Sequence, residues 1–365
     1  MSDVTPILQF GTSRFLQAHA DLFFAEAGTP VAVTVVQSSG DAARAGRLGA
    51  LAAPDGYPVR IRGIENGRTL DEERRVTSVK RTLSTATDWD ALCALAASEV
   101  TAILSNTGDR GYLPMPADTA PAFDQAMSYP AKLFHLLAHR QAAGGAPLTI
   151  YPMELVPENG RVLKARVLDI AAANGAPAAL TDWLSACVWV NSLVDRIVSA
   201  PIEPAGAVAE PYALWAVEAG PGVTLPCVHP AVQLVPDLEE IERLKLHILN
   251  LGHTALADLW AAEGADPDRF VRQMMTGPAR ETLDAIYAEE VLPGFAAKGY
   301  GDEARAYLAT TLERFENPFL DHRVADIAQN HPQKVERRIK AFTDWVGTAG
   351  PAVPRLQAII ERATS

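Results

Sequence analysis

The chain has little cysteine, a deficit of basic charge and no long apolar run. Its cysteines, Cys93, Cys187 and Cys227, are three in 365 residues. Their wide spacing fits neither a zinc site nor a disulfide framework, so a reducing cytoplasm is the expected compartment. Lys and Arg total 32 against 44 Asp and Glu, a net charge of −12. That balance argues against nucleic acid or an anionic membrane surface as partner, although a locally basic pocket can still hold a small anion. No apolar stretch reaches the ~18 residues of a membrane span, and no basic segment followed by an apolar run opens the chain. H-E-x-x-H, the P-loop and a Ser-His-Asp signature are all missing. The eight histidines are scattered, and nothing calls for a metal. No internal repeat or low-complexity tract occurs.

What is present is length and apolar content. At 365 residues with 48% hydrophobic side chains, the chain can build about two domains with large cores. Short apolar strands at 7–10, 31–36, 57–63, 75–79, 100–104 and 148–155 alternate with helical patterns at 42–52, 89–97 and 131–140. A further helix, capped by Thr12 or Ser13, should run through Phe15, Ala20 and Phe24. Glu65-Asn-Gly67 reads as a turn. Strand–helix alternation predicts a Rossmann-like, doubly wound and mostly parallel sheet. After about residue 230 the pattern becomes helical, at 238–260, 267–275, 279–291, 302–315 and 322–329. The Pro- and Gly-rich stretch 201–236, with a strand at 212–217, is the expected junction. The predicted domains are 1–228, a Rossmann-like sheet domain, and 229–365, mainly α-helical.

The segment Lys245-Leu-His-Ile-Leu-Asn250-Leu-Gly-His253-Thr254 puts polar groups into an apolar helix. At ~100° per residue, Lys245, His253 and Asn250 point near ~0°, ~80° and ~140°, on one broad face. A helix apolar nearly all round is buried, and burying an amine costs several kcal/mol without compensation. A buried lysine can serve as a general base. It can equally be structural, with its ammonium on a carboxylate or in solvent.

Four other segments carry polar residues at strand or helix ends. Gly11-Thr-Ser-Arg-Phe15 follows the first strand; a glycine there permits a tight turn, and helix-start amides can meet a pyrophosphate. Ser13 and Leu16 occupy the second and third glycine positions of the usual G-x-G-x-x-G. The second long strand ends at Gln37-Ser-Ser, without the acid that commonly reads the ribose hydroxyls, so NAD and NADP both stay open. Ser105-Asn-Thr-Gly108 ends another strand where ligands bind in such sheets. Asn191-Ser-Leu-Val-Asp-Arg-Ile-Val198 offers an amide donor and an Asp195–Arg196 pair, or a cap and a structural ion pair.

Taken together, these segments resemble the polyol-specific long-chain dehydrogenase (mannitol dehydrogenase) family. The resemblance rests on Gln9-Phe-Gly-Thr-Ser-Arg-Phe15, Ser105-Asn-Thr107, Tyr151-Pro-Met-Glu-Leu155 with Asn159-Gly160, Asn191 to Val198, and Lys245 with Asn250 and His253. It is strongest to the hexuronate branch of altronate (tagaturonate) and mannonate oxidoreductases, through Ser128-Tyr-Pro-Ala-Lys132 and Arg314-Phe-Glu-Asn-Pro-Phe319. It spans about residues 7 to 340. Ser13 stands where many relatives have glycine, and the chain is shorter than members of that branch.

The resemblance implies metal-free hydride transfer between a nicotinamide, NAD with NADP not excluded, and a sugar-derived alcohol or ketone. Lys245 is then the general base, Asn191 and Asn250 donate to the developing alkoxide, and His253 orients the substrate. Gly11, Thr12, Ser13, Arg14, Phe15, Gln37, Ser105, Asn106, Thr107 and Glu154 are implied on the cofactor. Arg196 and Lys334 are candidate cations for a substrate carboxylate. The expected substrate is an aldonate or ketouronate; a neutral polyol is the alternative, and a non-catalytic cofactor-binding regulator a third reading. A monomer or small homo-oligomer is expected.

Overall fold

The structure is a computed structural model and describes residues 4–108 and 111–364. The chain forms two compact units. One comprises Met1–Ile61, Glu72–Ala209 and Ala213–Leu238; the other comprises Arg62–Asp71, Glu210–Tyr212 and Glu239–Ser365. Among the described residues, no helix is long and apolar enough to cross a membrane.

The first unit is built on a parallel sheet. The early strands of the chain are β1 (Ile7–Phe10), β2 (Val33–Gln37), β3 (Tyr57–Glu65), β4 (Arg68–Val76), β5 (Val79–Ser84), β6 (Ala102–Ser105), β7 (Thr149–Pro152) and β8 (Val188–Trp189). Six of them assemble in the order β5-β2-β1-β6-β7-β8, with every pairing parallel. Every residue of β1, β2 and β6 is buried, because helices cover both faces of such a sheet. The crossovers include Trp89–Ser98, Tyr129–Ala142, Asn159–Ala173 and Ala178–Ala186. The chain winds from β1 toward β2 on one side and toward β6 on the other. The carboxyl ends of β1 and β6 therefore flank the topological switch point, where ligands bind in open α/β sheets. The Rossmann-like fold expected from strand–helix alternation is the fold observed.

Three local expectations need correction. The helix after β1 is two helices, Arg14–Gln17 and Ala20–Glu26, interrupted at a non-helical His19. The His19 ring packs at 4.7 Å from Phe15 and 4.5 Å from Phe23, and its Nε2 bonds the Leu214 carbonyl at 2.9 Å. Arg196 donates to the freed Ala18 carbonyl at 2.8 Å. Residues 42–52 likewise split into Ala42–Ala45 and Leu48–Leu51, with Gly46 at the break. The strand expected at 75–79 straddles the end of β4 and the start of β5. β4 is mostly charged and exposed, so period-2 patterning did not reveal it. The turn at Asn66-Gly67 was legible: both have positive φ, 51° and 74°, as a two-residue hairpin of this kind requires.

The later strands are β9 (Ser192–Asp195), β10 (Val198–Pro201), β11 (Ala207–Ala209), β12 (Leu214–Glu218) and β13 (Val232–Val235). They form the β13-β12-β9 sheet, and a β10-β11 pair that continues onto β3 and β4.

Under the first strands lies Asp21, 1% exposed, whose Oδ2 accepts from the Tyr57 hydroxyl at 2.7 Å. Burial lifts its pKa from 3.8 to about 7, with the Tyr57 bond opposing the shift. Between those values the folded protein keeps a proton that the unfolded chain has lost, so the stabilisation present below pH 4 is lost as pH rises to 7. Asp21→Asn keeps the acceptor and removes the titration. Its stability relative to the parent should rise by roughly 2–4 kcal/mol between pH 4 and pH 8, read from urea unfolding. An unchanged difference across that range rules the assignment out.

The second unit is helical. Helices over 238–262, 277–297 and 331–346 each contain one π-helical turn, at Lys245–Asn250, Tyr287–Val291 and Glu336–Lys340. Gly301–Phe315 and Pro354–Thr364 pack with them around Leu256, Leu283, Phe295 and Phe342. The helix at 331–346 and the one at Pro354–Thr364 were not foreseen. The Arg314-to-Phe319 segment anchors this unit. Arg314 grips buried Glu210 through Nε at 3.0 Å and Nη2 at 2.8 Å, and stacks over Tyr212. Asn317 donates to the Arg62 carbonyl at 3.3 Å, and the Arg62 guanidinium lies 4.1 Å from the Phe319 ring.

Candidate active site

At the carboxyl ends of β1 and β6, two loops meet. Gly11 has φ of +131°, and a Cβ there would lie 2.6 Å from the Asn106 carbonyl oxygen. Only glycine permits both the backbone conformation and that approach. Ser13 caps the following helix, its Oγ accepting from the Leu16 amide at 3.2 Å. The other loop is held by Glu154. Its carboxylate accepts from Ser105 Oγ, Thr107 N and Thr107 Oγ1, each at 3.0 Å, and from the Tyr112 hydroxyl at 2.7 Å. Asn106 donates to the Met153 carbonyl at 2.8 Å.

Gly11, Thr12, Ser13, Ser105, Asn106, Thr107 and Glu154 thus form one cluster at the switch point, and this arrangement fits a dinucleotide. Two expected cofactor residues are otherwise engaged. Arg14 is tied to Glu203 at 2.6 Å and to the Gly206 carbonyl at 3.1 Å. Gln37 is buried, accepts from Ser84 Oγ at 2.8 Å and donates to Ser39 Oγ and the Asp41 carbonyl. Phe15 stacks on His19. One residue that motif reading did not assign, Lys132, reaches the end of β2 and donates to the Ser38 carbonyl at 2.6 Å. Burial lowers its pKa to about 8, with Asp124 opposing.

Asn191 is half-buried, with Nδ2 donating to Glu218 Oε2 at 2.7 Å and Oδ1 accepting from the Arg161 amide at 3.1 Å. An amide carries two N–H donors, so one remains for a ligand. Glu218, the acceptor that orients this amide, had no signal in the sequence. Arg196 is buried against the Ala18 carbonyl, which makes it a structural cation at the helix break.

In the second unit, Lys245, Asn250 and His253 lie along one helix. Lys245 is half-buried, where burial was expected: the apolar-all-round character begins only at His247, and the preceding Glu239, Glu240 and Glu242 face solvent. The helical wheel also needs revision. In an α-helix, Lys245 and Asn250 stand ~140° apart; with about 4.4 residues per π turn, the separation closes to roughly 50°. His253 is buried 4.4 Å from the Phe315 ring and 5.0 Å from His322. Burial, then the charges of His322, Arg314, Arg338 and Lys334, hold its pKa well below the usual value, so it is a neutral imidazole.

A cavity of about 470 Å3 opens beside Asn250, lined also by Asn330, Gln333, Lys334, Arg337 and Arg338. Lys334 donates to the Ile327 carbonyl at 2.6 Å, and its pKa is lowered by burial and then by Arg338. Arg337 and Arg338 went unnoticed in the sequence because no motif marks them and their helix was not foreseen; only folding carries them to Asn250. Among the described residues, no three His, Cys, Asp or Glu side chains cluster as a metal site would require.

A parallel sheet with a polar loop cluster at its switch point, together with a helical unit carrying Lys245, Asn250 and His253, is the make-up of a two-domain dehydrogenase. Residues 5–224 match the mannitol dehydrogenase Rossmann domain and residues 237–346 the mannitol dehydrogenase C-terminal domain. The chain belongs to the mannitol dehydrogenase family, whose members are oxidoreductases acting on CH–OH donors. It is 34% identical to an altronate oxidoreductase of Halalkalibacterium halodurans over 81% of this chain, and spans 62% of that relative's length. It is 31% identical to one of Klebsiella pneumoniae over 91% of this chain and 73% of the relative. Among solved structures, a D-sorbitol dehydrogenase superposes with a TM-score of 0.82 at 19% identity, covering 98% of this chain and 80% of that one. The mannitol 2-dehydrogenase of Pseudomonas fluorescens superposes with a TM-score of 0.68 at 20% identity, over 98% and 90%.

The four donors gathered by Glu154 make it the loop's anchor. Glu154→Gln turns one acceptor into a competing donor. It should cost about 1–3 kcal/mol in chemical denaturation, the penalty of a buried unpaired donor. A stability equal to the parent would show that the loop does not depend on this carboxylate.

Proposed function

We propose that this protein is an NAD-dependent oxidoreductase that interconverts a sugar-acid alcohol and its ketone, an aldonate and ketouronate pair, with a lysine base and no metal. The observation that carries the substrate class is the cavity beside Asn250, with Lys334, Arg337 and Arg338 on its wall. Its volume is in the range of small-molecule sites, and three cations crowded together favour a carboxylate over a neutral sugar alcohol. Relatives named altronate oxidoreductase agree with that choice.

In this reading Gly11, Thr12, Ser13, Ser105, Asn106 and Thr107 hold the dinucleotide. A nicotinamide held there would supply the hydride chemistry in both directions. Lys245 takes the substrate hydroxyl proton during oxidation and returns it during reduction. Asn250 and the second N–H of Asn191 donate to the oxygen as it gains negative charge; one such donor is typically worth ~3 kcal/mol in the transition state. His253, kept neutral, can donate or accept a hydrogen bond to a substrate hydroxyl without carrying charge. Asn330 and Gln333 on the same cavity wall suit hydroxyl groups, which keeps a neutral polyol as the second reading.

Initial rates of NADH and NADPH oxidation with tagaturonate, fructuronate and fructose test this directly. A ketouronate should turn over fastest, with NADH preferred and no effect of EDTA. Preference for fructose moves the assignment to neutral polyols. Lys245→Ala should lose nearly all turnover while still binding NADH; parent-like turnover excludes the lysine base.

A further inference from the structure

The π turn Lys245–Asn250 is held by a side chain of its own helix and by groups of two others. In that turn the Leu251 amide is shared between the Ile248 and Leu246 carbonyls. The Ile248 carbonyl also accepts from the buried Tyr287 hydroxyl at 2.8 Å. Tyr287 is the first residue of the second π turn. Its approach needs a glycine at 252, where a Cβ would lie 1.9 Å from the tyrosine oxygen. The Asn250 carbonyl accepts from Thr254 Oγ1 at 2.9 Å, and Arg338 Nη1 donates to that same Oγ1 at 3.2 Å. Arg338 belongs to the third π turn, and its own carbonyl bonds His247 Nδ1 at 3.0 Å. The second and third π turns are thus each bonded to the first, within the segment between Lys245 and Asn250.

A π turn is rare, and one residue inserted into a helix can migrate along it unless its carbonyls are claimed at fixed positions. We propose that Tyr287 and Thr254, with Arg338 behind Thr254, are positioning residues: they fix the π register that puts Lys245 and Asn250 on one face. The proposal rests on the reading of those two as base and alkoxide donor. Neither Tyr287 nor Thr254 needs to touch substrate for it to hold. Misplacing a reacting group by about 1 Å can cost up to ~100-fold in rate, so the effect belongs in kcat.

Tyr287→Phe and Thr254→Val each delete one hydroxyl and keep the packing shape. Each should lower kcat by roughly 10- to 100-fold with the best substrate of the panel, leaving KM and NADH affinity within about twofold. Thr254→Ser, which keeps the hydroxyl, should restore kcat. In an Asn250→Ala background the effect of either deletion should shrink, because the part that runs through Asn250 is already lost, whereas a merely structural loss would multiply in full. Parent-like kcat in both deletions, with Lys245→Ala inactive, overturns the positioning role alone. An active Lys245→Ala overturns the base assignment and this proposal with it. A crystal structure of the Thr254→Val/Tyr287→Phe protein supplies a readout independent of turnover: the π turn should move or disappear. Its persistence at Lys245–Asn250 overturns the proposal whatever the kinetics.

Discussion

An α-helix that keeps its regular hydrogen-bond ladder sets Lys245 and Asn250 at the far edges of one broad face. Five residues of α-helix leave their side chains ~140° apart, and the protein resolves this by widening one turn. The consequences spread through the helical unit. The Ile248 and Asn250 carbonyls accept from a tyrosine and a threonine hydroxyl, Gly252 is confined to glycine, and Arg338 lies where it also lines the cavity beside Asn250.

The parallel-sheet unit is governed by a different constraint, the need of loop backbone and buried polar groups for partners. Gly11 lets the first loop pass the Asn106 carbonyl with no room to spare. Glu154 gathers four donors from the loop after β6 and its neighbour Tyr112. The break at His19 is stabilised by ring packing and by Arg196 on the exposed carbonyl of Ala18. Side chains that resemble ligand contacts by motif are in part the supports of the loops that would make those contacts.

Much of the fold was legible. The buried runs of β1, β2 and β6 are too apolar to be anything but covered strands, and Asn66-Gly67 is a hairpin turn by its own conformational preference. Legibility failed where neighbours outvoted local preference. The helix through Phe15 and Phe24 breaks at His19, whose ring is held by the Leu214 carbonyl far along the chain. β4 carries charges on both faces, so no periodicity could betray it. Asn191 was visible as an amide donor, but Glu218, 27 residues on, became its acceptor only through the pairing of β9 with β12.

The sequence by itself determined the family, the parallel sheet and the polar residues set into apolar segments, because these depend on composition and spacing along one chain. Tertiary structure decided what those residues can do. It made Arg196 structural, gathered Lys334, Arg337 and Arg338 around Asn250, and set Lys245 and Asn250 in one π turn. The physical reason is common to all three. A side chain's direction and partners depend on groups tens of residues away, as the Tyr287 hydroxyl on the Ile248 carbonyl of the π turn shows.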